Sequence, residues 1–309
     1  MRQYEYNVPD YCYFLATRIL TECRIFVSNR GIASCFPLYR FITPENTDGT
    51  LFATQETIRK PNLNPQFVAA LETQLGLTFA PLPKSPIQNP KSTFTPADIF
   101  HYAYAVFYSP TYRERYAEFL KIDFPRLPLT GDAGLFRALA GLGADLVALH
   151  LLEDAYPAAS WNQNPCEGSE PSQGLLSPLQ HPITTFVAGA NGTTMGAFSK
   201  RACYDPAGGR VYLDTSQRQA SSHFAGVPED VWNFHIGGYQ VLHKWLYDRR
   251  GKRGEAGRTL TPEDIAHYQR IVVALQETIR LMAEVDAEIE RHGGWPVGGA
   301  LQSPDEATR

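Results

Sequence analysis

Few residues in this 309-residue sequence have the types and spacing of a catalytic centre. The run from Gly189 to Gly196, GANGTTMG, lacks the lysine of a phosphate-binding GxxxxGK(S/T) loop, so we interpret it as a hairpin turn. No HExxH, GxSxG or HxE…PCxxC motif occurs, which leaves zinc proteases, α/β-hydrolases and zinc deaminases without support. The eight histidines have no metal-ligand spacing with cysteine, and we expect His101 and His150, in apolar helical patterns, to be core residues.

The tetrapeptide Asn64-Pro65-Gln66-Phe67 is the nearest match to a DNA-methyltransferase motif. Amino-methyltransferases hold the extruded base with an Asn/Asp-Pro-Pro-Tyr/Phe loop that follows a strand. Here glutamine replaces the second proline, and the pattern instead predicts the capped start of a helix. A cofactor-binding glycine motif is also missing upstream, so we expect no cofactor and no methyl transfer by this chain alone.

Charge is distributed unevenly along the chain. The formal net charge is -4, and residues 281–309, with six acids and two bases, carry all of it. The segment Lys244–Arg258 contains six bases and two acids. Because salt confines a local field to about 8–10 Å, such a segment can hold phosphates on an acidic protein. The alternative is a solvated loop that is basic for solubility.

Turn residues and apolar spacing predict the order of the elements. Strand patterns occur over Cys23–Ile42, as a hairpin turning at Asn29–Gly31 or as two edge strands, and again between Pro182 and Val227. Helices are predicted after Asn64-Pro65, after Thr95-Pro96, over 110–122, over 134–153, from Pro228 to about 249, and from Thr261 to Gly293. The Pro228 helix would include Ile236-Gly237-Gly238-Tyr239. We expect core positions for these aromatic residues: Tyr102, Tyr104, Phe107, Tyr108, Trp232, Tyr239 and Trp245.

This order predicts a two-lobed α+β fold, in which short β-sheets or hairpins alternate with helical segments and a long helix lies near the C-terminus. We divide the chain into a β-rich part with one helix (1–93), a helical core (94–158), a second β-rich part (159–228) and a helical part with a basic loop and an acidic tail (229–309). No run of 18 apolar residues predicts a membrane span. Five cysteines without a CxxC pair are typical of reduced thiols in a cytoplasmic protein.

Several ordered segments resemble one known family. Residues 94–129, with FPRLPL at their end, residues 232–247 (WNFHIGGYQVLHKWLY) and residues 260–282 (LTPEDIAHYQRIVVALQETIRLM) resemble the specificity region of Type ISP restriction–modification enzymes of bacteria. The segments FPLYRF and RKPNLNPQFVAALETQLGLTF resemble the start of the same region. The sequence departs from the family in its early methionine and its more highly charged basic loop. It therefore leaves open a stand-alone polypeptide, a split gene or a truncated remnant.

The resemblance implies a target recognition domain that binds double-stranded DNA and has no catalytic centre, metal or cofactor of its own. In that family, nuclease, helicase-like and adenine methyltransferase modules do the chemistry, and they would be the partners of this chain on the same or a neighbouring polypeptide. Two alternatives remain: a remnant or subunit of a DNA methyltransferase that acts with a partner chain, and an interaction scaffold that binds no DNA.

For such a domain, we assign base reading to arginine, lysine and glutamine side chains on or beside the predicted hairpins, because these groups pair with guanine and adenine edges. They are Lys200, Arg201, Arg210, Gln217, Arg218 and Gln219, interleaved with Tyr204 and Tyr212. The alternative is the polar outer face of an ordinary sheet. We assign phosphate contact to the cations at the start of the basic segment, which are Lys244, Arg249, Arg250, Lys252 and Arg253.

Overall fold

The computed structural model describes residues 14–19, 35–42, 58–81, 92–122, 125–153, 182–189, 202–213, 221–236, 239–250 and 259–297. Its elements up to the middle of the chain are β1 (Tyr39–Ile42), β2 (Ile58–Pro61), α1 (Pro65–Leu75), β3 (Thr78–Phe79), β4 (Thr93–Phe94), α2 (Pro96–Tyr108), α3 (Pro110–Arg115), α4 (Ala117–Ile122) and α5 (Ala133–His150). Those that follow are β5 (Thr185–Val187), β6 (Cys203–Asp205), β7 (Arg210–Tyr212), β8 (His223–Ala225), α6 (Glu229–Trp232), β9 (His235–Ile236), β10 (Tyr239–Gln240), α7 (Val241–Arg249) and α8 (Pro262–Arg291). The α+β class is confirmed.

The helices begin where the sequence provides capping residues. Asn64 accepts a hydrogen bond from the Gln66 amide at the start of α1, and Gly76 ends that helix with a φ of 63°. Thr95 with Asp98, and Thr261 with Asp264, form capping boxes at the starts of α2 and α8. These three helix starts are therefore confirmed as predicted.

The first lobe is a helical layer in which α5 packs closely against α2. At Gly143 the two helices approach so nearly that an added Cβ would lie 1.9 Å from the carbonyl oxygen of His101. The core around this contact contains Tyr102 and Phe136, which are each 1% exposed. By length and mean hydropathy α5 could also cross a membrane, but half of its residues are buried inside the protein, as in many core helices.

A buried histidine joins three elements of this lobe. Both ring nitrogens of His150 have partners: Nδ1 lies 2.7 Å from the Tyr104 hydroxyl and Nε2 lies 3.0 Å from the Thr278 hydroxyl. Thr278 donates its own proton to the carbonyl of Ala274, so it accepts from His150. Burial lowers the pKa of His150 to about 3, so the ring stays neutral. The prediction of a satisfied core histidine is confirmed.

The second lobe contains a four-stranded antiparallel sheet in the order β5-β8-β7-β6. Its inner face packs against α8, where the rings of Phe224 and Tyr268 lie 4.2 Å apart. The strands predicted between Pro182 and Val227 are thus found wherever the structure describes this segment. Within the described residues, Cys203 is a free thiol on β6, and Cys35 is also free.

The helix α8 contributes to every hydrophobic cluster of the described residues. Tyr268 and Val272 pack in the second-lobe cluster, whereas Leu281 packs with α2 and α5. Near its C-terminal end, Val285 and Ile289 complete the cluster that contains α1. The two lobes are therefore joined by one continuous helix.

Two sequence predictions need correction. Strand β1 pairs with β2 in the register Tyr39↔Pro61 to Ile42↔Ile58, and β2 was not predicted; residues 23–34 lie outside the described ranges. The helix predicted from Pro228 ends after one turn, and β9 pairs with β10 through Ile236↔Tyr239. The physical reason is in the sequence: only Gly237 and Gly238, which lie outside the described residues, separate these paired residues, and a Gly-Gly dipeptide is unfavourable in a helix interior.

Candidate nucleic-acid interface

The outer face of the four-stranded sheet is the first part of the candidate site. Val211 and Phe224 point into the core with no exposed surface, so the side chains that alternate with them point to the opposite face. Arg210 lies on that face at the first position of β7, where it is exposed. In the backbone register of the β6–β7 hairpin it stands opposite Asp205. A base-reading side chain has to project in this way.

The described structure includes only one of the six predicted base-reading residues. The guanidinium of Arg210 lies beside Gly208, since a Cβ there would come within 3.2 Å of Arg210 Nε. The five others lie outside the described residues: Lys200, Arg201, Gln217, Arg218 and Gln219. The base-reading assignment therefore stays a prediction.

The neighbouring tyrosines have structural contacts. Tyr204 stacks on Trp232 with ring centroids 5.4 Å apart and donates a hydrogen bond of 2.9 Å to the carbonyl of Val227. Tyr212 is only 8% exposed and its ring lies 5.0 Å from His223. Trp232 itself is a core residue, as predicted. The two tyrosines thus brace the hairpin that presents Arg210.

A cationic and aromatic surface lies on α7 and on the strand before it. We call it the α7 ledge, and it consists of Tyr239, Lys244, Tyr247 and Arg250. Lys244 Nζ lies 5.5 Å from the Tyr239 ring, and the guanidinium of Arg250 lies 3.7 Å from the Tyr247 ring. The core position predicted for Tyr239 is wrong, because this residue lies on β10 and is 37% exposed. Tyr247 is 39% exposed.

Lys244 forms a weak ion pair with Asp248 on the surface of α7. Its Nζ lies 2.5 Å from Asp248 in an (i, i+4) ion pair whose side chains are 42% and 50% exposed. Solvent-exposed pairs of this kind contribute about 0–1 kcal/mol, so a phosphate can displace Asp248 at little cost. Lys244 can therefore exchange its partner.

Arg249 points away from the ledge and connects α7 to α8. Its guanidinium stacks 3.5 Å from the Trp245 ring and donates to the Trp245 carbonyl at 3.1 Å. Its Nε also lies 3.5 Å from the carboxylate of Asp264, which forms the α8 capping box with Thr261. Burial first, and then the charges of Arg249 and Arg270, lower the pKa of His267 beside them. These contacts give Arg249 a positioning role, while its assignment to phosphate contact stays a prediction.

The two remaining phosphate candidates, Lys252 and Arg253, lie outside the described residues. The helix α7, which carries the described candidates, packs in the same hydrophobic cluster as β7, which carries Arg210, because Leu242 and Leu246 pack with Val211. The hairpin and the ledge are thus parts of one lobe. The signal that sequence reasoning missed was the exposed aromatic partners of the cations, Tyr239 and Tyr247.

Away from these two surfaces, the described ranges contain a groove but no metal site. No group of three or more His, Cys, Asp or Glu side chains lies close enough to hold a metal ion there. A groove between α5 and α8 is lined by Asp145, Glu284 and Glu288 with Arg291 at its edge. Its excess of carboxylates repels a nucleic acid.

Comparison with known families identifies the chain. The sequence model described as "Type ISP C-terminal specificity domain" matches residues 9–284. This protein belongs to that family. The family is described as a specificity domain, which is a module of a larger system. Among curated proteins, none matches this chain significantly.

Three solved structures resemble the chain weakly. The first is a cryo-EM structure of a DrdV–DNA complex, with 20% sequence identity over 76% of this chain and 21% of that chain and a TM-score of 0.48. The second is the ATP-dependent Type ISP restriction–modification enzyme LlaBIII bound to DNA, with 16% identity over 81% of this chain and 13% of that chain and a TM-score of 0.46. The third is a nuclease-deletion mutant of the Type ISP restriction–modification enzyme LlaGI in complex with a DNA substrate mimic, with 18% identity over 61% of this chain and 13% of that chain and a TM-score of 0.39. The chain spans about a fifth or less of each.

Proposed function

We propose that this chain recognises a specific sequence in double-stranded DNA as the target recognition domain of a bacterial Type ISP restriction–modification system. The observation that carries the proposal is the family match over residues 9–284. The chain supplies recognition in the cytoplasm and needs no cofactor, while methyltransferase, helicase and nuclease modules on the same or a neighbouring polypeptide carry out catalysis.

Base reading is proposed for the sheet of the second lobe. Arg210 is exposed at a tight hairpin that stacked aromatic residues support, so it can reach a guanine edge in a groove about 12 Å wide. The other five residues assigned to this role lie in the segments next to β6 and β7 along the chain: Lys200, Arg201, Gln217, Arg218 and Gln219.

Phosphate contact is proposed for the α7 ledge and for the basic segment that follows it. Lys244 and Arg250 lie on exposed aromatic rings, and Lys252 and Arg253 continue the positive charge along the chain. Contacts of this type hold a protein in register on the duplex without reading its sequence. Tyr247 adds a ring that can pack against sugar or base.

The direct test is selection of binding sites from random duplexes, followed by fluorescence anisotropy with the selected duplex and a scrambled one at low salt. We expect the selected duplex to bind at least tenfold more tightly than the scrambled one. If micromolar protein changes the anisotropy of neither duplex, the proposal is refuted. Binding of S-adenosylmethionine by the chain alone would contradict the proposed absence of catalysis.

The two roles give different results on substitution. Lys244→Ala/Arg250→Ala should weaken binding to every duplex and make the salt slope shallower by about 1.8, because each lost phosphate contact removes about 0.9. Arg210→Ala should instead weaken the selected duplex by about 5- to 150-fold relative to the scrambled one. Arg280→Ala is the matched control, since Arg280 is paired with Glu277 and Glu284 on α8.

A further inference from the structure

The antiparallel pair β1–β2 is a short ribbon that precedes α1 along the chain, and neither proposed contact surface includes it. We call Tyr39–Ile42 and Ile58–Pro61 the ribbon. Its register places Arg40 opposite Lys60 and Phe41 opposite Arg59. The chain leaves it through Asn62, which donates two hydrogen bonds back to the carbonyls of Leu38 and Pro37, and enters the core at Leu63.

Both faces of the ribbon are exposed. Side chains alternate, so Tyr39, Phe41 and Arg59 lie on one face, and Arg40, Ile42, Ile58 and Lys60 lie on the other. Phe41 is 70% exposed and Ile58 is 56% exposed. A two-stranded pair that buries neither face gains little stability by itself, so a partner on either face would stabilise the ribbon.

The charge of the ribbon is entirely positive. Residues 35–42 and 58–63 contain Arg40, Arg59 and Lys60 and no acid. Arg40 and Lys60 are directly opposite each other, an arrangement that is unfavourable in a hairpin, and neither has an acidic partner among the described residues. An anion between the two side chains would turn this repulsion into attraction.

The third cation is held in place by an aromatic ring. The guanidinium of Arg59 lies 3.5 Å from the Tyr39 ring, so its position along the strand is fixed. Phe41 lies beside it on the same face and opposite it in register. A fixed guanidinium next to an exposed ring suits a phosphate and the sugar or base attached to it.

We propose that the ribbon is a second DNA-contacting element, in which Arg40 and Lys60 bind backbone phosphates and Arg59 with Phe41 contacts the adjacent nucleotide. This inference rests on the proposed function and extends it to the first lobe. A two-stranded ribbon has the width to enter the major groove. The like-charge pair and the lack of acids among the ribbon's described residues favour a polyanion over a protein surface, whose contacts pair opposite charges or bury apolar groups.

The test compares Arg40→Ala/Lys60→Ala with wild type in salt titrations against the selected duplex. Loss of two phosphate contacts should make the slope shallower by about 1.8 and weaken binding by about 10- to 100-fold near 0.1 M salt. An unchanged slope in a variant whose circular dichroism matches wild type would overturn the ribbon proposal alone. Failure of the wild-type chain to bind any duplex would overturn the proposed function instead.

A charge reversal separates binding from structure. Arg40→Glu should pair with Lys60 and leave the melting temperature unchanged or higher, yet weaken DNA binding more than Arg40→Ala does. Arg280→Glu on α8 is the matched control and should leave binding unchanged. A photo-crosslinker in place of Phe41 should attach to the duplex; crosslinks to a second copy of the chain, with none to DNA, would contradict the proposal.

Discussion

Replacement of Gly143 by alanine should destabilise the protein although alanine is the better helix former. The new Cβ would lie 1.9 Å from the backbone oxygen of His101, whereas ordinary contacts are longer than 3.0 Å. The backbone of α2 cannot rotate away as a side chain can, so α2 and α5 must separate by about 1 Å or more. Overpacking of this kind costs about 1–3 kcal/mol.

A second glycine two residues away provides the control. A Cβ on Gly141 would meet nothing within 4 Å, so Gly141→Ala should stabilise the protein by about 0.5–1 kcal/mol through helix propensity. The two variants should therefore differ by about 1.5–4 kcal/mol in free energy of unfolding, measured by urea denaturation followed by circular dichroism. A Gly143→Ala variant as stable as wild type would refute the close approach of α2 and α5.

Two further predictions concern the contacts that join elements. Arg249→Ala should lower the free energy of unfolding by about 1–3 kcal/mol, because it removes the contacts with Trp245 and Asp264. Arg249→Lys should retain only part of this stability. An unchanged urea midpoint in Arg249→Ala would contradict the positioning role. His292 lies 2.6 Å from Asp132, which raises the pKa of the histidine above its ordinary 6.5 and lowers that of the aspartate below 3.8. The stabilisation is therefore full between these values, and it is lost as pH rises through the raised histidine pKa or falls through the lowered aspartate pKa. His292→Gln should shift the urea midpoint at about pH 5.5 more than at about pH 8.5, and an equal shift at both would disprove the linkage.

Elements with local signals could be predicted from the sequence. The starts of α1, α2 and α8 follow from Asn64, Thr95 and Thr261, because a cap and its partner lie within three residues. By contrast, β2 is a four-residue strand ending in proline, and its partner β1 lies 15 residues away from it along the chain. Such a non-local pairing leaves no periodic pattern in the sequence.

The site was predicted in composition more than in geometry. The sequence assigns all the cations near residue 250 to phosphate contact. In the structure, Arg249 lies on a different side of α7 from Lys244 and contacts Trp245 and Asp264 instead. Tyr239 is exposed because β10 pairs with β9, whereas the apolar spacing around it predicts a helix. Packing between elements determines which partner a side chain contacts, and no local motif in a single sequence reveals that packing.

The position of α8 in the chain has a consequence for biosynthesis. The ribosome makes residues 262–291 after α2, α5 and the four-stranded sheet, and α8 contributes to all three hydrophobic clusters, so none of these clusters can close until this helix has emerged. Nascent chains should therefore expose the apolar faces of α2, α5 and the sheet, and be chaperone clients, until α8 has emerged from the ribosome.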